Sequence, residues 1–258
     1  MNMMNTRPNA VAAMLLLLLW ISGTSLAQVP RQLRPPNDAT DTYEVKEMRG
    51  WTIRLSHRLK PHEDLKKEII EEVDVQLRKI TQLVNAKVLA ELRKTEIWIE
   101  HGFPGRTQYH NDKGWLDRNG YNTDKTGTVE IADPKEFLAW KDRAVLTMLH
   151  ELMHAYHHKV LGWNEPRVIA AFKAAEKSGK YEKIMRDKGY TIKHYALSNH
   201  KEYFAEAAEA YFWCNDYYPF VYGELKEFDP KGFALMEEIF GKRFEDDPRV
   251  HPEAEKKE

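Results

Sequence analysis

Two histidines and a glutamate in one short run of the chain have the types and spacing of a zinc hydrolase site. His150, Glu151 and His154 form an H-E-x-x-H pattern. Four residues is just over one turn of an α-helix, so the two imidazoles project from the same face. Imidazoles so placed can bind one zinc ion, and the glutamate beside them can accept a proton from water. The pattern therefore predicts one zinc ion per chain and hydrolytic chemistry, most often on peptide bonds.

The residues around this motif are typical of a buried helix. Residues 143–161 are rich in Ala, Leu and Met and contain neither Gly nor Pro, and Gly162 follows as an expected C-cap. The alternative is a helix with two histidines hydrogen-bonded in the core. Two buried histidines and a buried glutamate without a metal would be costly to satisfy, so the sequence favours a metal site.

A catalytic zinc ion usually has three protein ligands, so the chain must supply one more. The H-E-x-x-H-x-x-G-x-x-H arrangement is excluded, because His157 and Val160 occupy its glycine and third-histidine positions. His157 lies two helical turns from His150, which is too far for sharing one ion. His158 points off the same face. We interpret His157 and His158 as surface or packing residues.

Glu202 and Glu206 offer a third ligand from a later helix. They are four residues apart among apolar neighbours. Two carboxylates on one helical face repel each other unless a cation or hydrogen-bond donors lie between them. One of the two can bind zinc, and the other can accept the second N–H of a ligating imidazole and fix its tautomer. The spacing leaves open which glutamate has which role.

The two motifs together resemble the zinc peptidases whose third ligand is a glutamate, the gluzincins. Glu202 follows His154 by 48 residues, and residues 195–206 read Y-A-L-S-N-H-K-E-Y-F-A-E. This block is most similar to the Tyr-x(3)-Asn-x-x-Glu-aromatic-Phe-Ala-Glu block of the anthrax lethal factor catalytic domain. The resemblance covers about residues 150–211 and does not imply a toxin role.

The resemblance implies a complete ligand set, made up of His150, His154 and Glu202. It implies that Glu151 is the general base and that Glu206 lies behind the ligands, in their second shell. It also implies that the cofactor is zinc and that the substrate is a peptide or protein.

Tyr195 is the residue that the resemblance implies as a stabiliser of the oxyanion or a proton donor to the leaving group. A phenol a few residues before a ligand-bearing helix can reach over a metal, and its O–H is a good donor to a developing oxyanion. His194 is the neighbouring alternative for this role, and packing of the tyrosine ring is the alternative without function.

Substrate contacts are expected from a strand at residues 128–131. In a zincin-type fold this strand would be the sheet edge above the cleft, where an extended peptide pairs by backbone hydrogen bonds. Val129 and Glu130 are the expected contacts on the strand, and Tyr109 and His110 in the preceding loop are further candidates for lining the cleft. An ordinary edge strand without function is the alternative.

The predicted fold class is α+β and zincin-like. A small mixed sheet and the motif helix form an N-terminal lobe over residues 43–162, and a mainly helical lobe over residues 163–244 carries Glu202. Strands are expected at residues 43–45, 51–55, 95–100 and 128–132, with Arg49-Gly50 as a candidate turn between the first two. Helices are expected at residues 64–86, 165–178, 181–188, 201–215 and 232–240. Residues 101–126 are expected to form a loop with a short helix near residues 115–118.

The N-terminus is typical of a secretory signal. Arg7 precedes a short apolar core at residues 11–21, and a small-x-small cleavage site ends at Ala27. The apolar core is too short for a transmembrane helix. We therefore expect a secreted or periplasmic protein without a stable membrane anchor after cleavage, the alternative being an uncleaved anchor. Residues 28–42 are expected to be a flexible leader, and residues 245–258 a disordered charged tail.

Composition narrows the function further. The formal net charge is −1 and no basic stripe is present, so nucleic acid is not an expected partner. Cys214 is the only cysteine, so no intrachain disulfide is possible. Two alternatives to a peptidase are kept: a zinc-binding interaction protein that has lost turnover, and a zinc hydrolase of a non-peptide amide. The sequence does not predict an oligomeric state.

Overall fold

A five-stranded mixed sheet forms the N-terminal part of the fold, seen in a computed structural model that describes residues 37–243. The strand order is β1-β2-β3-β5-β4, with antiparallel pairs at both ends and parallel pairs between β2, β3 and β5. The strands are β1 (Glu44–Met48), β2 (Trp51–Leu55), β3 (Ile97–Ile99), β4 (Thr107–Tyr109) and β5 (Val129–Ile131).

The first two strands form the hairpin that the sequence predicts. Its two-residue loop is Arg49-Gly50, and both residues have positive φ, 53° and 89°. Positive φ at both loop positions matches the turn that fits the natural twist of a hairpin. On β2, Trp51, Ile53 and Leu55 are buried while the alternate residues are half-buried, so one face of this strand meets the core.

Helices surround the sheet and form the C-terminal part of the described chain. They are α1 (Glu63–Leu83), α2 (Ala86–Leu92), α3 (Lys113–Arg118), α4 (Pro134–Leu138), α5 (Thr147–Tyr156), α6 (Pro166–Ser178), α7 (His200–Phe212), α8 (Tyr222–Phe228) and α9 (Pro230–Phe240). A π-helical turn at His157–Leu161 extends α5. A hairpin of β6 (Ile184–Met185) and β7 (Thr191–Ile192) lies between α6 and α7.

Helix α1 packs against α5, the helix that carries the H-E-x-x-H motif. Its apolar stripe is fully buried and consists of Ile69, Val73, Leu77 and Ile80. Gln76, in the same stretch, accepts a hydrogen bond of 3.1 Å from the Met148 backbone N–H. The first N–H groups of a helix have no partner within the helix, so this contact fixes the start of α5 against α1.

Three local predictions are wrong. Residues 181–188 were expected to be helical, but a 3-10 turn leads into the β6–β7 hairpin, where Ile184 is buried and Met185 is 53% exposed. Strand β4 lies within the predicted loop 101–126. The motif helix begins at Thr147 rather than near residue 143, because residues 140–143 form turns with backbone bonds to residues 137–140.

Part of the expected flexible leader contacts the residues that follow β2. Asp38 is paired with Arg58 at 2.9 Å, and its side chain is 8% exposed. Thr40–Thr42 forms a short 3-10 helix just before β1. Residues 1–36, which include the predicted signal peptide, and residues 244–258 lie outside the described residues.

The α+β, zincin-like fold class is confirmed. Within residues 37–243, no helix combines the length and apolar character that crossing a membrane requires. The division into two lobes at residue 162 stays a prediction.

Candidate active site

The three predicted ligand residues meet at one point between α5 and α7. Glu202 Oε2 lies 3.2 Å from His150 Nε2 and 3.2 Å from His154 Nε2. The two Nε2 atoms are 3.1 Å apart. The three atoms therefore form a nearly equilateral triangle, although their residues belong to two helices separated by more than forty positions.

This triangle fits a zinc ion. Bonds of roughly 2.1 Å in a tetrahedron place neighbouring ligand atoms about 3.4 Å apart, close to the spacing found. The donor set of two imidazole nitrogens and one carboxylate oxygen is also one that catalytic zinc ions use. The two imidazole nitrogens and the carboxylate oxygen carry lone pairs that point at one another. A positive charge between them is needed to offset their repulsion.

Local folding explains how Glu202 arrives there. The Asn199 side chain accepts hydrogen bonds from the backbone N–H groups of Lys201 and Glu202, at 2.9 and 3.2 Å. Asn199 is thus the N-cap of α7. Glu202 falls in the first turn of α7, at the end where a helix favours negative charge.

The electrostatics of the triangle favour a charged carboxylate beside positive charge. Burial alone would raise the pKa of Glu202, but His154 and His150 outweigh it and hold that pKa well below its usual range. Burial would likewise lower the pKa of His150, but Glu209 and Glu202 outweigh it and raise that pKa well above its usual value. The two shifts have opposite directions because the carboxylate and the imidazoles stabilise each other's charged forms.

Glu151 lies next to the triangle and is held by the sheet. Its Oε2 accepts a hydrogen bond of 2.7 Å from the backbone N–H of Tyr109 on β4. The pKa of Glu151 is raised, because burial outweighs the opposing charges of His150 and His154. A carboxylate with a raised pKa is a stronger proton acceptor than an ordinary one.

Tyr195 and His194 have different surroundings. Tyr195 lines the cleft and its pKa is raised by burial, so its O–H stays protonated at neutral pH. His194 is 3% exposed, and its Nδ1 accepts a hydrogen bond of 3.0 Å from the Ala196 N–H. Burial lowers the pKa of His194 to about 3. His194 caps a turn, whereas Tyr195 faces the space in front of the triangle.

Two carboxylates lie behind His150. Glu206 Oε1 is 3.8 Å from His150 Nδ1, and Glu209 Oε2 is 3.5 Å from the same atom. The sequence motif indicated Glu206 but gave Glu209 no role. The sequence did contain a pattern that could have identified Glu209. This residue follows Glu206 by three positions on the same helical face and is surrounded by alanines.

An open cleft of about 910 Å³ runs along the front of the site. Residues of β4, α3 and α4 line one part of it, and the turn between β6 and β7 together with the loops around Tyr195 and Tyr217 lines another. The aromatic residues that line it are Trp115, Tyr121, Phe137, Trp140, Tyr190, Tyr195 and Tyr217. A cleft of this size and character can hold an extended peptide.

The expected substrate contacts on β5 are corrected. Strand β5 lies between β3 and β4, so the edge of the sheet next to α5 is β4. Val129 and Glu130 are fully buried and His110 is 4% exposed, so their side chains do not line the cleft. A three-residue edge strand carries too little sequence pattern to be distinguished from a loop.

Glu130 and His110 belong instead to a buried charge network beneath β4. His110 Nε2 lies 2.6 Å from Glu130 Oε2. The Lys125 ammonium pairs with both Glu130 and Glu100, and all three side chains are fully buried. Tyr43 donates a hydrogen bond of 2.6 Å to Glu100 Oε1. The network connects Tyr43, the residue before β1, to His110, the residue after β4.

His157 and His158 are packing residues, as the sequence predicts. His157 is fully buried against Trp163 and Phe204, and neither of its ring nitrogens has a hydrogen-bond partner among the described residues. His158 stacks on Trp163 with ring centroids 4.9 Å apart, and its Nδ1 lies 2.9 Å from the Tyr109 hydroxyl.

The fold and the site together define a class of protein. A small mixed sheet above an H-E-x-x-H helix, with a glutamate from a later helix at the third corner, is the architecture of the gluzincin type, and the chain is a zinc metallopeptidase. A comparison with family models matches residues 36–239 to the family described as anthrax toxin lethal factor, N- and C-terminal domain. The chain belongs to this family.

Comparison with solved structures finds a similarity to the PRO-PRO endopeptidase PPEP-2 from Paenibacillus alvei. The two chains are 21% identical, the match covers 66% of this chain and 90% of that chain, and the TM-score is 0.41. No curated protein sequence matches.

Proposed function

We propose that this protein is an exported peptidase in which His150, His154 and Glu202 hold one zinc ion and Glu151 is the general base. The observation that carries the proposal is the triangle of three ligand atoms at 3.1–3.2 Å with the Glu151 carboxylate beside it. When bound, zinc supplies Lewis-acid polarisation of the scissile carbonyl and makes the attacking water more acidic.

Glu151 moves the proton in this scheme. Its carboxylate takes a proton from the attacking water and later delivers it to the nitrogen of the leaving amine. The 2.7 Å bond from Tyr109 N–H occupies Oε2, which leaves Oε1 to face the water. No covalent intermediate with the enzyme is needed.

Tyr195 stabilises the charge that develops on the substrate. Tyr195 lines the cleft, and donors aimed at a developing oxyanion stabilise the transition state more than the ground state. Because burial raises the pKa of Tyr195, the hydroxyl retains the proton that it must donate.

The substrate backbone lies along β4. This strand pairs with β5 on one side only, so within residues 37–243 no strand pairs with its other edge. An extended peptide can add to such an edge as a further strand. This would place its backbone between β4 and the metal triangle.

Export is supported by the N-terminal pattern of Arg7, the apolar core at residues 11–21 and the cleavage site at Ala27. Mass spectrometry of the protein recovered from the producing cells would test it. A mature N-terminus at Gln28 is the expected result, and an N-terminus that still contains the apolar core would contradict export with cleavage.

Metal analysis combined with a peptide library tests the catalytic part of the proposal. The purified protein should contain about one zinc ion per chain, cleave a subset of the peptides, lose activity on chelation and regain it with added zinc. Glu202→Ala should bring the zinc content near zero, whereas the exposed-surface control Glu176→Ala should keep it. Full activity in metal-free protein would refute the proposed function.

A further inference from the structure

His150 presents each of its two ring nitrogens to a different set of groups. Nε2 is one corner of the metal triangle, and Nδ1 faces two carboxylates of α7 on the other side of the ring. With Nε2 directed at a metal, a neutral imidazole carries its proton on Nδ1. That single N–H can be given to one acceptor, so Glu206 and Glu209 cannot both have the same role.

Glu206 is already held by another donor. The Asn215 side-chain amide donates to Glu206 Oε2 at 2.8 Å and to the Glu206 main-chain oxygen at 2.9 Å. The other oxygen of Glu206 is the more distant of the two acceptors, 3.8 Å from His150 Nδ1. Asn215 thus fixes this carboxylate relative to its own helix.

Glu209 depends on His150 alone. Its Oε2 is 3.5 Å from His150 Nδ1, and its side chain is 3% exposed. Among residues 37–243, no other side chain or backbone N–H donates a hydrogen bond to the Glu209 carboxylate. A buried carboxylate without a donor is costly, so the contact with His150 is the interaction that offsets the burial of Glu209.

We propose that Glu209 is the positioning residue of the metal site: it accepts the Nδ1–H of His150 and so fixes the tautomer and ring plane that direct Nε2 at the metal. The resemblance to lethal factor implied Glu206 for this second-shell role, and Glu209 lies almost one helical turn further along α7. Glu206, which is held by Asn215, lies beside Glu209 and does not have this positioning role. This inference rests on the proposed function, because it assigns a partner to a proposed zinc ligand.

The test compares matched substitutions at the two positions. Zinc affinity is measured by competition with a chromophoric chelator in Glu209→Leu, Glu209→Gln and Glu206→Leu. Loss of such a partner typically weakens metal binding by roughly ten- to a hundredfold, and we expect this for Glu209→Leu. Glu209→Gln keeps an acceptor oxygen and should recover part of the loss, and Glu206→Leu should have the smaller effect of the two leucine variants.

A second measurement follows the geometry of the site directly. Cobalt(II) replaces zinc, and its visible absorption reports ligand arrangement. We expect the spectrum to change in Glu209→Leu and to remain close to that of the wild type in Glu206→Leu. If Glu209→Leu does not fold, Glu209→Asp keeps the charge but draws the carboxylate back by one methylene, and it should still weaken zinc binding.

The outcomes separate this inference from the proposed function. Affinity is measured without substrate, so a wild-type protein that binds zinc but cleaves no peptide refutes the proposed function and leaves the Glu209 comparison intact. Unchanged zinc affinity in the folded Glu209 variants overturns the inference. A Glu206→Leu effect as large as that of Glu209→Leu also overturns it, because Glu206 would then be the acceptor.

Discussion

The backbone N–H of Tyr109 donates a 2.7 Å hydrogen bond to Oε2 of Glu151, joining the edge strand of the sheet to the glutamate of the H-E-x-x-H motif. A backbone donor has a fixed direction, because β4 is held by β5 and cannot rotate as a side chain does. The Glu151 carboxylate is therefore oriented by the sheet, while its position along α5 is set by the helix.

Replacing Glu151 by Gln should separate metal binding from turnover. The amide keeps the shape of the side chain but cannot accept a proton, so kcat should fall by at least about a hundredfold, the usual contribution of a positioned base. Zinc content should stay at the wild-type level. Glu176→Gln on the surface of α6 is the control, and an active Glu151→Gln enzyme would show that another residue is the base.

Replacing Tyr195 by Phe deletes one oxygen and keeps the ring. If the hydroxyl donates to the oxyanion, kcat should fall by roughly 10²–10³, with unchanged zinc content and little change in KM. Tyr190→Phe, at another tyrosine of the cleft, is the matched control and should retain wild-type kcat. A near-normal kcat in Tyr195→Phe would assign the tyrosine to packing alone.

Replacing Lys125 by Met should strongly destabilise the protein. The substitution leaves the fully buried Glu100 and Glu130 without their cation, and breaking a buried ion pair in this way typically costs about 3–5 kcal/mol. Urea unfolding measures the effect. The double variant Lys125→Met/Glu130→Gln removes one of the stranded charges and should unfold less easily than the single variant. A loss below about 1 kcal/mol would contradict a structural role for the network.

Replacing His157 by Phe should change how stability depends on pH. Burial lowers the pKa of His157 to about 3, below the value of about 6.5 expected in the unfolded chain. Between these values the unfolded state binds the proton more readily, so His157 lowers stability as pH falls from about 6.5 towards 3. Above pH 7 this penalty is absent.

The His157→Phe variant lacks this titration. Relative to the wild type, its free energy of unfolding should improve as pH falls, by up to about 1.4 kcal/mol per pH unit within that window. Urea unfolding of metal-free protein at pH 7, 6, 5 and 4 measures the difference without competition from zinc binding. A constant difference between the two proteins at all four pH values would show that His157 is protonated in the folded state or is not buried.

The residues that could be predicted from sequence are those whose contacts are local along a helix. His150 with His154, and Glu202 with Glu206, are pairs one turn apart, so their shared face follows from helical geometry alone. The β1–β2 hairpin was likewise visible, because β2 alternates and Arg49-Gly50 suits a tight turn. Each of these features depends on residues no more than eleven positions apart.

The features that escaped prediction depend on distant partners. Strand β4 is a strand only because β5 pairs with it, and three residues carry no detectable period. The β6–β7 hairpin contains two-residue strands, and Arg186, the residue after β6, is bridged to Tyr217. The role of Glu209 depends on the packing of α7 against α5. This packing directs Nδ1 of His150 towards Glu209 rather than towards solvent.

Because α7 contacts both sides of the His150 ring, the number of residues between its two contacts is constrained during evolution. Glu202 meets Nε2 at 3.2 Å and Glu209 approaches Nδ1 at 3.5 Å, so the seven-residue interval between them cannot gain or lose a residue. The connection over residues 162–198 carries no such constraint at its exposed turns. Insertions and deletions among homologous chains should therefore accumulate at loop tips such as Gly189, while the distance from Asn199 to Glu209 stays constant.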